Sequence, residues 1–164
     1  MALPLYAELL CVSNYSFLIG ASWPEELVER AKELGYSAIA ITDECTLAGV
    51  VRAHTEAKKQ GIQLLIGSQF KVQADLPFTL VVLAQDMNGY GNLCQFITRL
   101  RRSSEKGTYL LHRADIEGDT LADCLLVVSP CREASDAQLE ELGRWTLTHF
   151  LGRAWLGVDL NRRI

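Results

Sequence analysis

Apolar residues along the chain fall into short dense runs, and the stretches between those runs carry helical spacing. Ala7 to Val12 reads as a first buried strand. Ser22-Trp23-Pro24-Glu25 follows, with Ser22 placed as an N-cap and Glu25 three residues on as its capping-box partner. Pro24 suits a first turn, where backbone N–H groups have no helical acceptor. Leu27, Val28, Ala31 and Leu34 then form one apolar face, and Gly35 predicts the stop.

The alternation continues. Ser37 to Ile41 predicts a second strand, Leu47 to Gln60 a helix closed by Gly61, and Ile62 to Ile66 a third strand that Phe70 to Val72 extends beyond Gly67. Thr79 to Ala84 is a fourth strand, and Met87 to Arg102 is a helix with Leu93, Phe96, Ile97 and Leu100 inward. Ser103 to Gly118 is polar and predicts a loop. Leu125 to Val128, Ser135 to Phe150 and Ala154 to Val158 complete the series as strand, helix and strand. Unbroken Ile, Val and Leu runs belong to strands covered on both faces, as in parallel sheets and barrels. The expected class is therefore α/β, with mostly parallel strands alternating with helices.

Composition narrows the function classes. The 164 residues suit one domain, with 49% hydrophobic and 22% charged positions. A net charge of −4 means that the chain as a whole does not attract nucleic acid, so any such contact needs a local basic patch. Cys11, Cys45, Cys94, Cys124 and Cys131 are scattered and odd in number, which argues against a disulfide framework or a zinc cluster. No signal peptide or membrane-length apolar run is present, and the expected compartment is the cytoplasm, with no membrane contact.

Four stretches taken together resemble one family. They are Tyr6 to Ser22 (containing Ser13-Asn-Tyr-Ser-Phe-Leu18), Ala40 to His54 (containing Ile41-Thr-Asp-Glu-Cys45), Leu65 to Phe70, and Leu83 to Leu93. In order and spacing they are similar to the opening of the PHP domain that begins bacterial C-family DNA polymerases, and specifically to the error-prone branch. The resemblance implies part of a distorted (β/α) barrel over residues 1–164, a partial PHP domain without the polymerase palm, fingers or thumb. In active family members these motifs hold clustered metal ions, for which histidines and carboxylates are suited as ligands and activators of water. Here the family's HxH pair falls at Leu10 and Val12, and the histidine after Thr-Asp falls at Glu44, beside Asp43. The family's glutamate falls at Gln69, and the histidine that opens the fourth strand falls near Thr79. Two aliphatic residues and an amide make poor ligands, so the expectation is a degenerate site with no metal, no catalytic residue and no cofactor, in which Leu10 and Val12 join the core.

Other candidates have plainer readings. Asp43 and Glu44 are a surviving acidic pair, but acidic residues also start helices, and we read them as capping the turn before Leu47. Arg99, Arg101 and Arg102, with Lys106, are the candidate DNA contact; they equally complement a helix C-terminus, which is the reading we favour. His54, His112 and His149 form no ligand pair. Cys45 lies beside acidic residues, which disfavour a thiolate. Trp23, Trp145 and Trp155 read as core or interface.

The resemblance implies a non-catalytic scaffold within an error-prone DNA-directed DNA polymerase that copies past damage. Its partners would be the remainder of that polymerase and the accessory translesion proteins, with DNA reached through the parent enzyme. The rivals are a free-standing PHP-type metal-dependent phosphoesterase and a binding module for damage-response partners. This stretch alone is expected not to polymerise, and an unfinished barrel edge predicts a homodimer.

Overall fold

A computed structural model describes residues 5–131 and 133–157. The chain divides into two compact units, Met1–Gln69 and Phe70–Ile164. The expected α/β class is observed in both.

In the first unit, strand β1 (Ala7–Cys11) leads through helix α1 (Pro24–Glu33) to β2 (Ala38–Ile41), and helix α2 (Val50–Gln60) leads on to β3 (Gln63–Val72), whose last residues enter the second unit. β1 pairs with β2 and β2 with β3, both in parallel, as helical crossovers permit. The two helices pack on each other, and α1 packs on β2. Their small and branched residues, Val28, Ala31, Ala53 and Ala57, meet Ile39 and Ile41 of the sheet in one buried cluster. Arg52 fastens the helix pair from outside, paired with Glu25 and lying 4.4 Å from the Trp23 ring centre.

Both helices end as the sequence predicts. After α1, Gly35 (φ 76°) donates to Lys32 and Tyr36 to Ala31, each at 3.0 Å, which is a Schellman closure. Gly61 (φ 65°) closes α2 in the same left-handed region. The starts differ from expectation. The N-cap of α1 is Trp23, one residue later than Ser22, because the Glu26 carboxylate rather than Glu25 reaches back to the cap N–H, at 2.8 Å. Helix α2 begins at Val50 rather than Leu47; a tighter turn, in which the Val50 N–H donates to Leu47 O at 3.2 Å, precedes the first α-helical turn. Leu34 is the C-cap residue and half exposed, outside the apolar face assigned to it.

In the second unit, β4 (Phe78–Ala84) precedes helix α3 (Met87–Arg102), then come β5 (Cys124–Pro130), helix α4 (Asp136–Phe150) and β6 (Ala154–Leu156). β5 and β6 are parallel, but β4 and β5 run antiparallel over seven residue pairs, a local exception to the mostly parallel expectation. An antiparallel strand buried on both faces has the same apolar composition as a parallel one, so the sequence does not distinguish them. Phe70 and Phe96 meet edge to face at 5.2 Å in a core with Leu80, Leu93 and Leu126. The polar stretch Ser103 to Gly118 is not a free loop. Leu111 and Ile116 are fully buried, and a short 3-10 turn, Arg113–Asp115, lies between them. Of the last predicted strand, Val158 lies outside the described residues. No described helix is long and apolar enough to cross a membrane.

A backbone approach in this unit sets a sharp sequence requirement. A Cβ on Gly89, in the first turn of α3, would lie 2.0 Å from the carbonyl oxygen of Asp123, whereas one on Gly91 would meet nothing within 4 Å. Gly89→Ala is expected to cost about 2–3 kcal/mol by overpacking. Gly91→Ala should instead stabilise by about 0.5–1 kcal/mol through helix propensity. Urea denaturation of the two variants side by side checks both signs.

Candidate functional site

Four of the five positions at which the resemblance places metal ligands come from the ends of β1 and β2 and from β3. The end of β1 delivers Leu10 and, just beyond the strand, Val12; the turn after β2 delivers Asp43 and, at the ligand position, Glu44; and β3 delivers Gln69. Local geometry brings the last three together: Glu44 and Gln69 form an isolated parallel bridge, the Cys45 N–H donates to Gln69 O at 2.9 Å, and the Gln69 N–H donates to Asp43 O at 3.2 Å.

Asp43 is 1% exposed, and its carboxylate is the centre of the site. Oδ1 accepts the Ser13 N–H at 2.8 Å and the Ser16 hydroxyl at 2.8 Å, and Oδ2 accepts the Ser13 hydroxyl at 2.7 Å. Each hydroxyl also accepts: Ser16 from the Glu44 N–H at 2.8 Å, Ser13 from the Tyr15 N–H at 3.2 Å. The Asp43 carbonyl accepts the buried Ser68 hydroxyl at 2.7 Å. Next to it, Thr42 donates both its N–H and its hydroxyl to Cys11 O. A charge this deep is tolerated only when its lone pairs are satisfied, and three of about four are.

The backbone is shaped around this arrangement. Cys45 holds a left-handed φ of 51°, a conformation that costs a non-glycine residue about 1–2 kcal/mol, and it is fixed by its hydrogen bond to Gln69 and by burial. Gly49 begins α2 against the carboxylate, where a Cβ would stand 3.2 Å from Asp43 Oδ2 and 2.9 Å from Pro24 Cγ. Asp43 therefore does not cap the helix, as the sequence suggested. It joins β2 to the loop that leaves β1. Ser13, Ser16 and Ser68, which sequence reasoning left without a role, are what make that possible.

As a metal centre the donor set does not fit. Leu10 and Val12 have no lone pairs, Gln69 offers only an amide, and the Asp43 oxygens are engaged by hydroxyls. No group of three or more His, Cys, Asp or Glu among the described residues is placed to hold an ion. Leu10 does not fill a core either; it is 44% exposed, and Val12 is half-buried. The expectation of core packing there is corrected: a bulge in β1, between Glu8 and Cys11, sets Leu9 and Leu10 against a single residue of β2 and breaks the in-out alternation. Burial pushes the neighbouring Cys11 thiol up to about 11, with Glu8 and Asp43 adding to the shift, so it is not a nucleophile at neutral pH.

The remaining candidates are dispersed. Thr79 is half-buried within β4, and His54 is exposed on α2. The imidazole of His149 stacks near Trp145 and lies 3.7 Å from Glu117. At the end of α3, Arg99 donates to the carbonyl of Asp115 at 3.0 Å and Arg101 to that of Thr108 at 3.2 Å, while Arg102 is exposed. Two of the three arginines thus tie the following segment to the helix. Trp145 packs against Phe78 and Phe150 and donates to Glu117, whereas Trp23 and Trp155 are about half exposed.

Comparison with known proteins places these features. The profile of the PHP domain family matches residues 8–143. An error-prone DNA polymerase of Bordetella parapertussis is 52% identical over 96% of this chain, and that of Dechloromonas aromatica is 50% identical over 98%. The chain spans 16% of the length of each of these relatives. A solved Bifidobacterium adolescentis structure assigned as a metal-dependent phosphoesterase superposes with a TM-score of 0.64 at 16% identity, covering 85% of this chain and 74% of that one. The last likeness concerns the fold alone.

If Asp43 is a structural crosslink, removing it should unfold rather than inactivate. Asp43→Ala strands two hydroxyls and an N–H in a buried site and is expected to cost about 3–5 kcal/mol. Ser68→Ala should cost about 1 kcal/mol, and the exposed His54→Ala less than about 0.5 kcal/mol. Chemical denaturation orders the three; a wild-type midpoint for Asp43→Ala would disprove the crosslink.

Proposed function

The chain belongs to the PHP domain family, and from that premise we propose that it is the non-catalytic PHP portion of an error-prone DNA polymerase, with a degenerate metal site. The observation that carries this reading is the pairing of a family-typical backbone with ligand positions filled by Leu10, Val12 and Gln69, while the one acid at the centre, Asp43, is spent on Ser13 and Ser16. Family resemblance supplies the frame, and the side chains at the ligand positions argue against hydrolase chemistry within it. The identity of about half the residues to named polymerases supports the same parent.

On this reading the piece works in the cytoplasm in damage-induced translesion synthesis. It packs against the remainder of the polymerase and its accessory proteins, and meets DNA through the parent enzyme. It needs no cofactor of its own. Produced alone, it self-associates as a homodimer.

Two measurements test the reading. Elemental analysis of protein purified without chelators should find zinc, manganese and iron far below one equivalent per chain. A p-nitrophenyl phosphate ester assay with added manganese should stay at background. Stoichiometric metal, or turnover abolished by a substitution at Glu44, would favour the free-standing phosphoesterase instead.

DNA contact is checked separately. Arg99 and Arg101 already serve the segment after α3, so the isolated chain should bind a labelled oligonucleotide only weakly at physiological salt, with a Kd no tighter than the ~1–100 μM of non-specific contacts. Submicromolar binding that vanishes on Arg99→Glu and Arg102→Glu would assign the cluster to DNA.

A further inference from the structure

Leaving β1, the chain makes a closed loop whose tip is apolar. Phe17, Leu18 and Ile19 are 84%, 89% and 54% exposed, which is unusual for three consecutive large apolar residues. The loop is nonetheless well braced. Asn14 N–H donates to Ser22 O at 2.9 Å across its neck, and Ile19 and Gly20 both donate to Ser16 O. Any Cβ on Gly20 would lie 2.0 Å from Ser13 O, so the tip sits directly on its own base. That base is held in turn by the buried Asp43 carboxylate through Ser13 and Ser16. Leu18 adopts a left-handed φ of 63°, a strained conformation for a leucine. The molecule thus orders an apolar tip that its own described residues leave uncovered.

The surroundings of the tip define what fits it. Leu5, Tyr6, Leu9 and Leu10, from β1 and the residue pair before it, are also exposed. From Leu5 to Ser22 the only charged residue is Glu8, whose carboxylate is occupied by the Tyr6 hydroxyl at 2.9 Å and the Leu10 N–H at 3.0 Å. This stretch supplies no cation of its own for a phosphate-bearing ligand, and Arg52, which reaches Tyr15 of the loop, is paired with Glu25 and lies on the Trp23 ring. Its one charge, Glu8, is hydrogen-bonded to Tyr6 and the Leu10 N–H, so a contact with a second copy meets a single like charge on each side, and apolar packing has to carry it. At roughly 200 Å² for an aromatic side chain and less for leucine or isoleucine, the exposed fractions amount to at most about 900 Å². A stable interface needs about 800 Å² from each partner.

We infer that the loop tip Phe17–Leu18–Ile19, together with the exposed residues of β1, is the contact through which a second copy of this chain binds across a two-fold axis. The inference rests on the self-association proposed above and names its surface. It assigns the contact to side-chain packing rather than to strand addition at an open sheet edge. The bulge at Leu9 and Leu10, and the Glu8 carboxylate on the Leu10 N–H, make β1 an irregular template for a further strand, so side-chain packing carries the contact.

Sedimentation velocity over a dilution series from about 1 to 200 μM reads the outcome. The wild-type chain should dissociate reversibly from dimer to monomer. Phe17→Ser combined with Leu18→Asn should weaken the dimer by ~100-fold or more, as loss of a central apolar anchor does. Both side chains point to solvent and asparagine tolerates the left-handed φ, so circular dichroism and the urea midpoint should be unchanged. Trp155→Ser, at an exposed position of β6, should leave the dimer intact. A dimer that survives the double substitution but is lost in Trp155→Ser would overturn this surface while retaining self-association. A wild-type monomer throughout the series would overturn both.

Discussion

Removing a carboxylate from water costs several kcal/mol unless hydrogen bonds replace its hydration, and in the first unit that requirement falls on Asp43. Satisfying it dictates the surrounding structure. Two serines three residues apart must turn toward the end of β2, which fixes how the chain leaves β1. The turn after Asp43 must tighten until Cys45 takes a left-handed conformation, and α2 must start on a residue without a side chain. The exposed loop tip is a downstream result, because its base consists of the same two serines. A single buried charge thereby connects strand, turn, helix start and surface.

This explains why some of the fold is legible in the sequence and the site is much less so. Helix stops could be read because Gly35 and Gly61 act locally, through φ values that other residues avoid. The core face of α3 could be read because Leu93, Phe96 and Leu100 recur at helical spacing and are buried. The start of α1 was displaced by one residue because Ser22 with Glu25 and Trp23 with Glu26 satisfy the same spacing, and only geometry selects between them. The site depends on hydrogen bonds between residues 27 to 30 positions apart, such as Ser13 and Ser16 with Asp43, which no local pattern announces. The aliphatic character of Leu10 and Val12 was visible at once, but their exposure was not, because a bulge cancels the alternation on which burial is read.

Function follows from how the two layers of information combine. Matching over residues 8–143 fixes the family, and identity near one half ties the chain to polymerases six-fold or so longer than itself. The chemistry at the site is read only from its side chains. Hydroxyls and a backbone N–H hold the Asp43 carboxylate between the end of β2 and the loop that leaves β1. In the second unit, cations are used in a similar way: Arg113 lies against the Phe78 and Trp145 rings and pairs with Glu141, and Arg153 donates to Leu121 O. Charged groups in both units serve chiefly to tie segments together.

The antiparallel ladder between β4 and β5 has a further consequence for how the second unit is assembled in time. Its nearest partners, Ala84 and Cys124, are about forty residues apart in the chain, and its farthest, Phe78 and Pro130, about fifty. The ladder cannot close until α3 and the strapped segment beyond it have been synthesised, and loop-closure entropy is spent before any of its seven pairs forms. β4, among the most apolar strands in the molecule and buried on both faces, must wait on a nascent chain without β5. In the folded unit, Arg99 and Arg101 hold the intervening segment against α3 through the carbonyls of Asp115 and Thr108.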